Sequence, residues 1–538
     1  MEQKILKMLQ EKQLVLFCGA GISLDPPAGL PDWHKLRDYT LEAVASLDPH
    51  LQIVVPVLLN MDMLADPGKK GLTPEVVASE IANHSNGYFE SFRSLRNGKE
   101  NVNHLCIAAS GLRYIVTTNF DIFIEKALLE KNITFKAYRF AEEFATFDKN
   151  DRGIHLFKLH GCISEPRSIT ATIEQEAKGL CSPKREVLRY LLGKYYFLFW
   201  GYSGADLKIN LDYLQMESCV DNAKGFMWDF WQKDEENTYV KRLAHLYREK
   251  AVITQGKLPK LFYNFIKETD IVEYSNQQRR EWQKNKNEEL RIALQEWSKK
   301  YLTSEKSSNM LGRLLLHSGK LDEALYCFHH CLEICKSPNI ENVEALLNIG
   351  VVCKHRGQYN KALEYFEKAR IISKENHYIK ETVASLNNTG VVHGSQNHYE
   401  KALQCFEQVK QIALDNNYQK EIAASFNNIG AIYSKQHRYD DALECYEKAK
   451  KIAFDRGDRQ NFAARLNNIA YVYTKREEID KALEYYKQYE EISRSLGDVQ
   501  GLSVACHNIA MLYTAQNKWK EAKKYYDLYE SFKAKNKP

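Results

Sequence analysis

Five asparagines at intervals of forty residues, Asn348, Asn388, Asn428, Asn468 and Asn508, constrain this chain more than any other feature. Ala362, Ala402, Ala442, Ala482 and Ala522 keep the same step. A fixed period of this length marks an array of stacked units. Within one unit, Phe426-Asn-Asn-Ile-Gly430, Tyr433, Ala442, Tyr446 and Ala449 fall at helical spacing in two stretches. A short polar turn divides them: Gln436-His-Arg-Tyr-Asp440 in this copy, Asn397-His-Tyr-Glu400 in the one before and Asn517-Lys-Trp-Lys520 in the last. Each unit is therefore a pair of helices. Gly430 and Ala442 let the two helices approach closely, while Tyr433 and Tyr446 fill the gaps between neighbours. About six copies run over residues 306–538, the first degenerate around Leu311-Gly312 and Ala324. Such units bury their apolar faces only against one another, so the stack forms a curved all-α solenoid.

These spacings resemble the tetratricopeptide repeat in a forty-residue form with extended helices. Each ladder asparagine sits two residues before the small packing residue of its first helix, about 200° around the axis from it. The ladder should face away from the packing seam, towards the concave side. The resemblance implies that this side is a groove for a peptide or protein, whose backbone Asn348, Asn388, Asn428, Asn468 and Asn508 would hold by paired amide bonds. The asparagines could equally bond to one another between repeats and stiffen the array. Cys327, Cys331 and Cys335, with His329 and His330 between them, invite a metal reading. A reduced core cysteine is the simpler account, because Cys331 occupies the position that Ala449 fills elsewhere.

Residues 1–275 read differently. Short apolar runs at Leu14–Phe17, Tyr114–Thr117, Ile154–Leu159, Tyr195–Trp200, Gly225–Phe230 and Ala251–Thr254 alternate with helical stretches, the pattern of a parallel α/β sheet. Residues 276–305 are strongly charged, with Trp282 and Trp297 as apolar anchors, and are expected to form a helical connector. The 75 basic and 70 acidic side chains nearly cancel, so no dominant nucleic-acid footprint exists. No apolar run approaches the roughly 18 residues of a membrane span. Twelve cysteines without paired spacing, and no secretory pattern at the start, place the protein in a reducing cytoplasm.

Chemistry concentrates where the apolar runs end. Leu14-Val-Leu-Phe-Cys18 leads straight into Gly19-Ala20-Gly21-Ile-Ser23, where a backbone without Cβ atoms could approach a pyrophosphate. Leu24 stands where a dinucleotide fingerprint would want another glycine, so a plain tight turn is equally compatible. Later runs end in Thr117-Thr118-Asn119-Phe-Asp121, Lys158-Leu-His160-Gly161 and Gly201-Tyr-Ser203-Gly-Ala-Asp206. Ligands in parallel sheets sit beyond the carboxyl ends of the strands, so these clusters should meet in one crevice.

Here the chain resembles the sirtuin-like fold. Gly19 to Ser23 with Gly29-Leu-Pro-Asp32 is similar to the first nucleotide loop of that family, Thr117 to Asp121 to its Thr-Gln-Asn-Ile-Asp motif, and His160-Gly161 to its His-Gly pair. The resemblance implies a Rossmann-like domain that takes NAD as substrate. Gly19, Ala20, Gly21, Ser23, Asp32, Thr118, Asp121, Gly201, Ser203 and Asp206 would bind it. Asn119 and His160 would be catalytic, an amide to orient ribose or water and an imidazole as weak base.

Two departures matter. Deacylating sirtuins carry a zinc module of two Cys-x-x-Cys pairs, and none occurs here, so no metal is expected. The first loop is also longer than usual, and Thr118 replaces the motif glutamine. The resemblance is thus closer to the NAD-hydrolysing sirtuin-like domains of bacterial antiphage proteins, which destroy NAD once infection is sensed. It implies an abortive-infection effector triggered by a protein or peptide on the repeats, a phage-encoded one among the candidates, with a homo-oligomer through the sirtuin-like domain as a further expectation. An NAD-dependent deacylase and a non-catalytic NAD-binding adaptor remain as alternatives.

Overall fold

The computed structural model describes residues 2–23, 28, 33–61, 72–85, 87–97, 100–170, 179–204, 207, 212–230, 238–266, 286–496 and 498–535. It divides into two compact units, Met1–Ser46 with Thr73–Leu302, and Leu47–Leu72 with Thr303–Pro538.

The first unit is built on a seven-stranded sheet: β1 (Leu14–Cys18), β2 (Tyr114–Thr117), β3 (Phe135–Tyr138), β4 (Ile154–Lys158), β5 (Tyr196–Trp200), β6 (Phe226–Phe230) and β7 (Ala251–Gln255). All its pairings are parallel, in the order β3-β4-β2-β1-β5-β6-β7. The expected α/β architecture is present, with one strand more than the sequence indicated. The additional strand, β3, lies at the edge, and its Phe-Lys-Ala-Tyr buries only Tyr138 fully. An edge strand of four residues with little burial leaves no apolar run to recognise.

Side chains alternate across the sheet with a period of two, and both faces are apolar because both are covered. Val15, Phe17, Tyr114, Val116, Phe157, Phe199 and Trp228 pack on one side with Leu188 and Leu191 of helix Ser182–Lys194. Leu14, Leu16, Cys18, Ile115, Leu156, Leu198 and Met227 pack on the other. Helices Val102–Ala109, Phe123–Glu130 and Leu258–Ile266 contribute to that second layer. Within the expected connector, residues Lys286–Tyr301 form a helix of this unit. It buries Leu290, Leu294 and Trp297 at helical spacing, and Trp297 meets Tyr88 at 5.2 Å between ring centroids. Trp282 lies outside the described residues.

The second unit contains six antiparallel helix pairs from Ser304 to Lys535. Its packing rule is a small residue on the first helix facing an aromatic ring sixteen positions later. A Cβ on Gly312, Gly350 or Gly390 would run into the ring of Phe328, Phe366 or Phe406. Where the partner ring is Tyr486, Ala470 already fits. The turn inside each pair has one left-handed residue: Gly319, Gly357, Asn397, His437, Glu477 and Asn517, with φ between +56° and +74°. That conformation ends a helix and frees the chain to reverse. No helix among the described residues is long and apolar enough to cross a membrane.

Candidate active site

At the carboxyl edge of the sheet, Lys158, Thr117, Cys18 and Trp200 are register partners in four adjacent strands. With strands about 4.8 Å apart, four loops leave the sheet within roughly 15 Å of one another. After β1 the chain continues on one side of that strand through β2, β3 and β4, and then returns to the other side as β5. This reversal is the place where an open parallel sheet offers a crevice.

The loops are tied together by backbone bonds. Gly19 N–H donates to Trp200 O at 3.0 Å and Gly21 N–H to Gly201 O at 2.9 Å. Thr118 N–H donates to Cys18 O at 3.2 Å, and Ile163 N–H to Phe120 O at 2.8 Å. The glycines are explained by this packing: a Cβ on Gly19 would collide with Gly201 O and Tyr202 Cα, and one on Gly21 would lie 2.9 Å from Gly201 Cα. Gly201 itself needs φ +65°. Close contact between the β1 and β5 loops, rather than open space for a phosphate, accounts for both Cβ-free positions. We expect Gly19→Ala to destabilise the sheet unit by about 1–3 kcal/mol, since backbone atoms must move to admit the methyl. A drop in its unfolding temperature relative to the parent chain is the measure.

Beneath these loops lies a buried polar chain. Ser23 Oγ donates to Asp121 Oδ2 at 2.9 Å, and Asn119 Nδ2 donates to Ser23 Oγ and to Asp121 Oδ2, both at 3.2 Å. Asp121 Oδ1 accepts from Phe123 N–H at 3.0 Å, which orders the start of the following helix. The amide nitrogen of Asn119 is thus pinned, and its backbone N–H donates to Thr117 Oγ1 at 3.0 Å. Asn119 Oδ1, by contrast, is buried without a hydrogen-bond partner among the described residues.

His104, which sequence reasoning missed, completes the chain. Its Nδ1 accepts from Asn101 N–H at 3.1 Å, which leaves the proton on Nε2, 3.1 Å from Ser23 Oγ. Burial pushes its pKa down to about 4, against the opposing pull of Asp121. Asn101 and Asn103 of the same helix start hold Ile22 O at 2.7 and 3.1 Å. The signal was Asn101-Val-Asn-His104, a helix cap that reads as ordinary until it is found against the glycine loop. Folded His104 stays neutral while the unfolded side chain, near 6.5, takes up a proton. Its contribution is therefore complete above about pH 6.5 and is lost as pH falls to about 4, by on the order of 3 kcal/mol. Unfolding temperature should fall more steeply over this window in the parent than in His104→Gln.

His160 follows β4, is buried, and faces the rings of Phe120 at 6.1 Å and Tyr213 at 5.7 Å. Gly161 after it has φ +89°, and a Cβ there would strike the Ser168 carbonyl. Lys158, missed because it ends an apolar strand, is buried with its Nζ 2.9 Å from Glu125 Oε1 and bonded to Asp121 O. Burial alone would lower this ammonium, but Glu125, with help from Cys162 and Asp121, outweighs it and holds the pKa up. Burial pushes the Cys18 thiol well up, so it is no thiolate nucleophile.

Of the residues expected to bind NAD, Gly19, Ala20, Gly21, Ser23, Thr118, Asp121 and Gly201 stand on the β1, β2 and β5 loops, and Ser203 is exposed on the last of these. Asp32 and Asp206, with the Gly29-Leu-Pro motif segment, lie outside the described residues. The ladder asparagines are half-buried. Asn428 donates to Asn387 Oδ1 at 2.8 Å and Asn468 to Asn427 Oδ1 at 2.9 Å, each reaching the preceding repeat.

Fold and site together define a parallel α/β unit with a buried polar site at its strand reversal, carried on one chain with an array of helix pairs. Residues 113–218 match the SIR2-like domain family, a span that includes Asn119 and His160. Residues 302–375, 341–415, 421–495 and 462–529 match the tetratricopeptide repeat family. The chain is 29% identical over 218 residues to NAD(+) hydrolase ThsA of Acinetobacter baumannii (strain 532279), 40% of this chain and 41% of that protein. It is 26% identical over 211 residues to NAD(+) hydrolase ThsA of Bacillus cereus (strain MSX-D12), 39% and 40% respectively. The chain thus spans about two fifths of the length of these curated relatives. Among solved structures, BtubC from P. vanneervenii is similar at 16% identity and TM-score 0.35, over 40% of this chain and 89% of that one.

Proposed function

We propose that the chain hydrolyses NAD to nicotinamide and ADP-ribose in its SIR2-like unit. The observation that carries this reading is Asn119: its nitrogen is locked by Ser23 and Asp121 at the chain reversal beside β1, while its buried oxygen is left to accept. An acceptor held in that way can orient a ribose hydroxyl or an attacking water at no cost in reorganisation. In the reaction the bond between ribose C1′ and the nicotinamide nitrogen breaks, and its electron pair neutralises the pyridinium. A water oxygen bonds to C1′, and its proton passes to His160, a weak base in the adjoining loop. The curated relatives named NAD(+) hydrolase support the substrate.

The repeats would act as the sensor. A protein or peptide on the concave face, with amide contacts from Asn348, Asn388, Asn428, Asn468 and Asn508, would release hydrolysis, and loss of NAD would arrest an infected bacterium. Asn428 and Asn468 already spend one amide hydrogen each between repeats, which leaves the other for a partner. The deciding assay follows nicotinamide release by the purified chain with and without acyl-lysine peptide, alongside NAD levels in expressing bacteria challenged with phage. Peptide-independent release or NAD collapse on infection is expected. Release only with acylated peptide would make it a deacylase, and bound NAD that neither setting consumes would make it an adaptor.

A further inference from the structure

The second unit brings together three side chains that are far apart in sequence. Asp48 caps the short 3-10 helix Pro49–Val54, and its Oδ1 accepts from the His50 backbone N–H at 2.9 Å and lies 3.1 Å from His50 Nδ1. Its other oxygen lies 2.8 Å from Nε2 of His330, which projects from helix Leu321–Ile334 of the first repeat. The two imidazole rings are 5.0 Å apart between centroids. Tyr326, one turn before His330, donates to His50 O at 3.2 Å and stacks on the His330 ring with an interplanar angle of 9°. One ligating atom from each of Asp48, His50 and His330 falls within 4.8 Å of the others.

We propose that Asp48, His50 and His330 form a binding site for a divalent late first-row metal, Zn2+ in the first instance. Two imidazoles and one carboxylate are a donor set of this borderline character, whereas Mg2+ and Ca2+ prefer oxygen alone. Tetrahedral ligation at about 2.0–2.2 Å sets ligand atoms roughly 3.4 Å apart. The present 2.8 and 3.1 Å contacts run to different oxygens of Asp48, and one ligating atom from each residue already lies within 4.8 Å of the others, so side-chain rotation would bring the three onto one centre. To ligate, each imidazole presents a lone pair at the nitrogen named and keeps its proton on the other. The side chains of Asp48 and His330 are only 10% and 8% exposed, but that of His50 is 70% exposed. Metal can therefore enter from solvent, and the fourth position falls to water. The cysteines at 327, 331 and 335 take no part in this ligand set. A metal here would clasp the segment that begins at Leu47 onto the first repeat, across 282 residues of chain.

The test uses the full chain, stripped with chelator and titrated with Co2+ and then Zn2+. One equivalent of Co2+ should bind with the visible absorption of a tetrahedral nitrogen and oxygen site and be displaced by Zn2+. Saturating Zn2+ should raise the unfolding temperature by a few degrees. His50→Ala, which removes an exposed side chain, should weaken Co2+ at least tenfold and abolish the thermal shift, and Asp48→Asn should do the same. Absence of saturable Co2+ absorption, a sulfur-to-cobalt band instead, or binding unchanged in His50→Ala would each overturn the proposal.

Discussion

Asn119→Ala is expected to lower nicotinamide release by about 100- to 1000-fold, the size of effect seen when one preorganised polar group is removed from a reacting centre. The structure separates this from a folding defect. Asn119 donates twice, but Ser23 still bonds to Asp121 when the amide is gone, and Asp121 keeps the Phe123 N–H. The stability lost should be about 1 kcal/mol, the net worth of ordinary hydrogen bonds in a site that remains connected. NAD binding should weaken much less than turnover falls, because an oriented water or hydroxyl matters most as positive charge develops on the ribose. Turnover of Asn119→Ala within threefold of the parent would remove the residue from the mechanism and with it the main support for hydrolysis.

Lys158→Met should produce the largest loss of stability, about 3–5 kcal/mol. Its ammonium is enclosed by the sheet and answers the Glu125 carboxylate at 2.9 and 3.2 Å. Without it, Glu125 stays buried with no opposing charge, and the Asp121 carbonyl loses its donor. The double variant Lys158→Met, Glu125→Leu removes both charges and should recover most of the loss, which a simple packing defect would not do. Tryptophan fluorescence in a urea titration reads the relevant transition, because Trp519 is the one tryptophan of the repeat-containing unit. Equal instability in the single and double variants would show that the pair is not the source.

The same pair shows how the candidate site rests on support beyond the expected loop residues. Lys158 joins the loop bearing Asp121 to the helix bearing Glu125, and Cys162 Sγ, just past His160, points at Glu125 Oε1 from 3.8 Å. Two of the four strand-end loops, those after β2 and β4, are thereby braced from below. Ser23, Asp121 and His104 do the same for Asn119. In the proposed hydrolase, changes at Glu125 and His104, which would touch no substrate, are therefore expected to lower nicotinamide release through the groups they position.

Local pattern was enough to determine the repeat period, the division of each repeat into two helices, six of the seven strands and the loops that leave them; that Tyr446 packs on Gly430 of its own helix pair, where it was expected to fill a gap between repeats, came from the structure. The helices are written as burial with a period of 3.6 and the strands, covered on both faces, as short unbroken apolar runs, and both patterns lie in the order of residues. Strand β3 escaped because an edge position buries little. The glycines of the first loop were legible as Cβ-free, but only the tertiary structure showed that Gly201 and Tyr202 occupy the space. The same holds for His104 and Lys158, polar residues in apolar surroundings whose partners lie 81 and 33 residues away, and for His330, whose partner is 282 residues away. Which buried polar atoms meet, and which one is left open, follows from how the layers pack, because a hydrogen bond depends on distance in space and carries no signature in sequence separation.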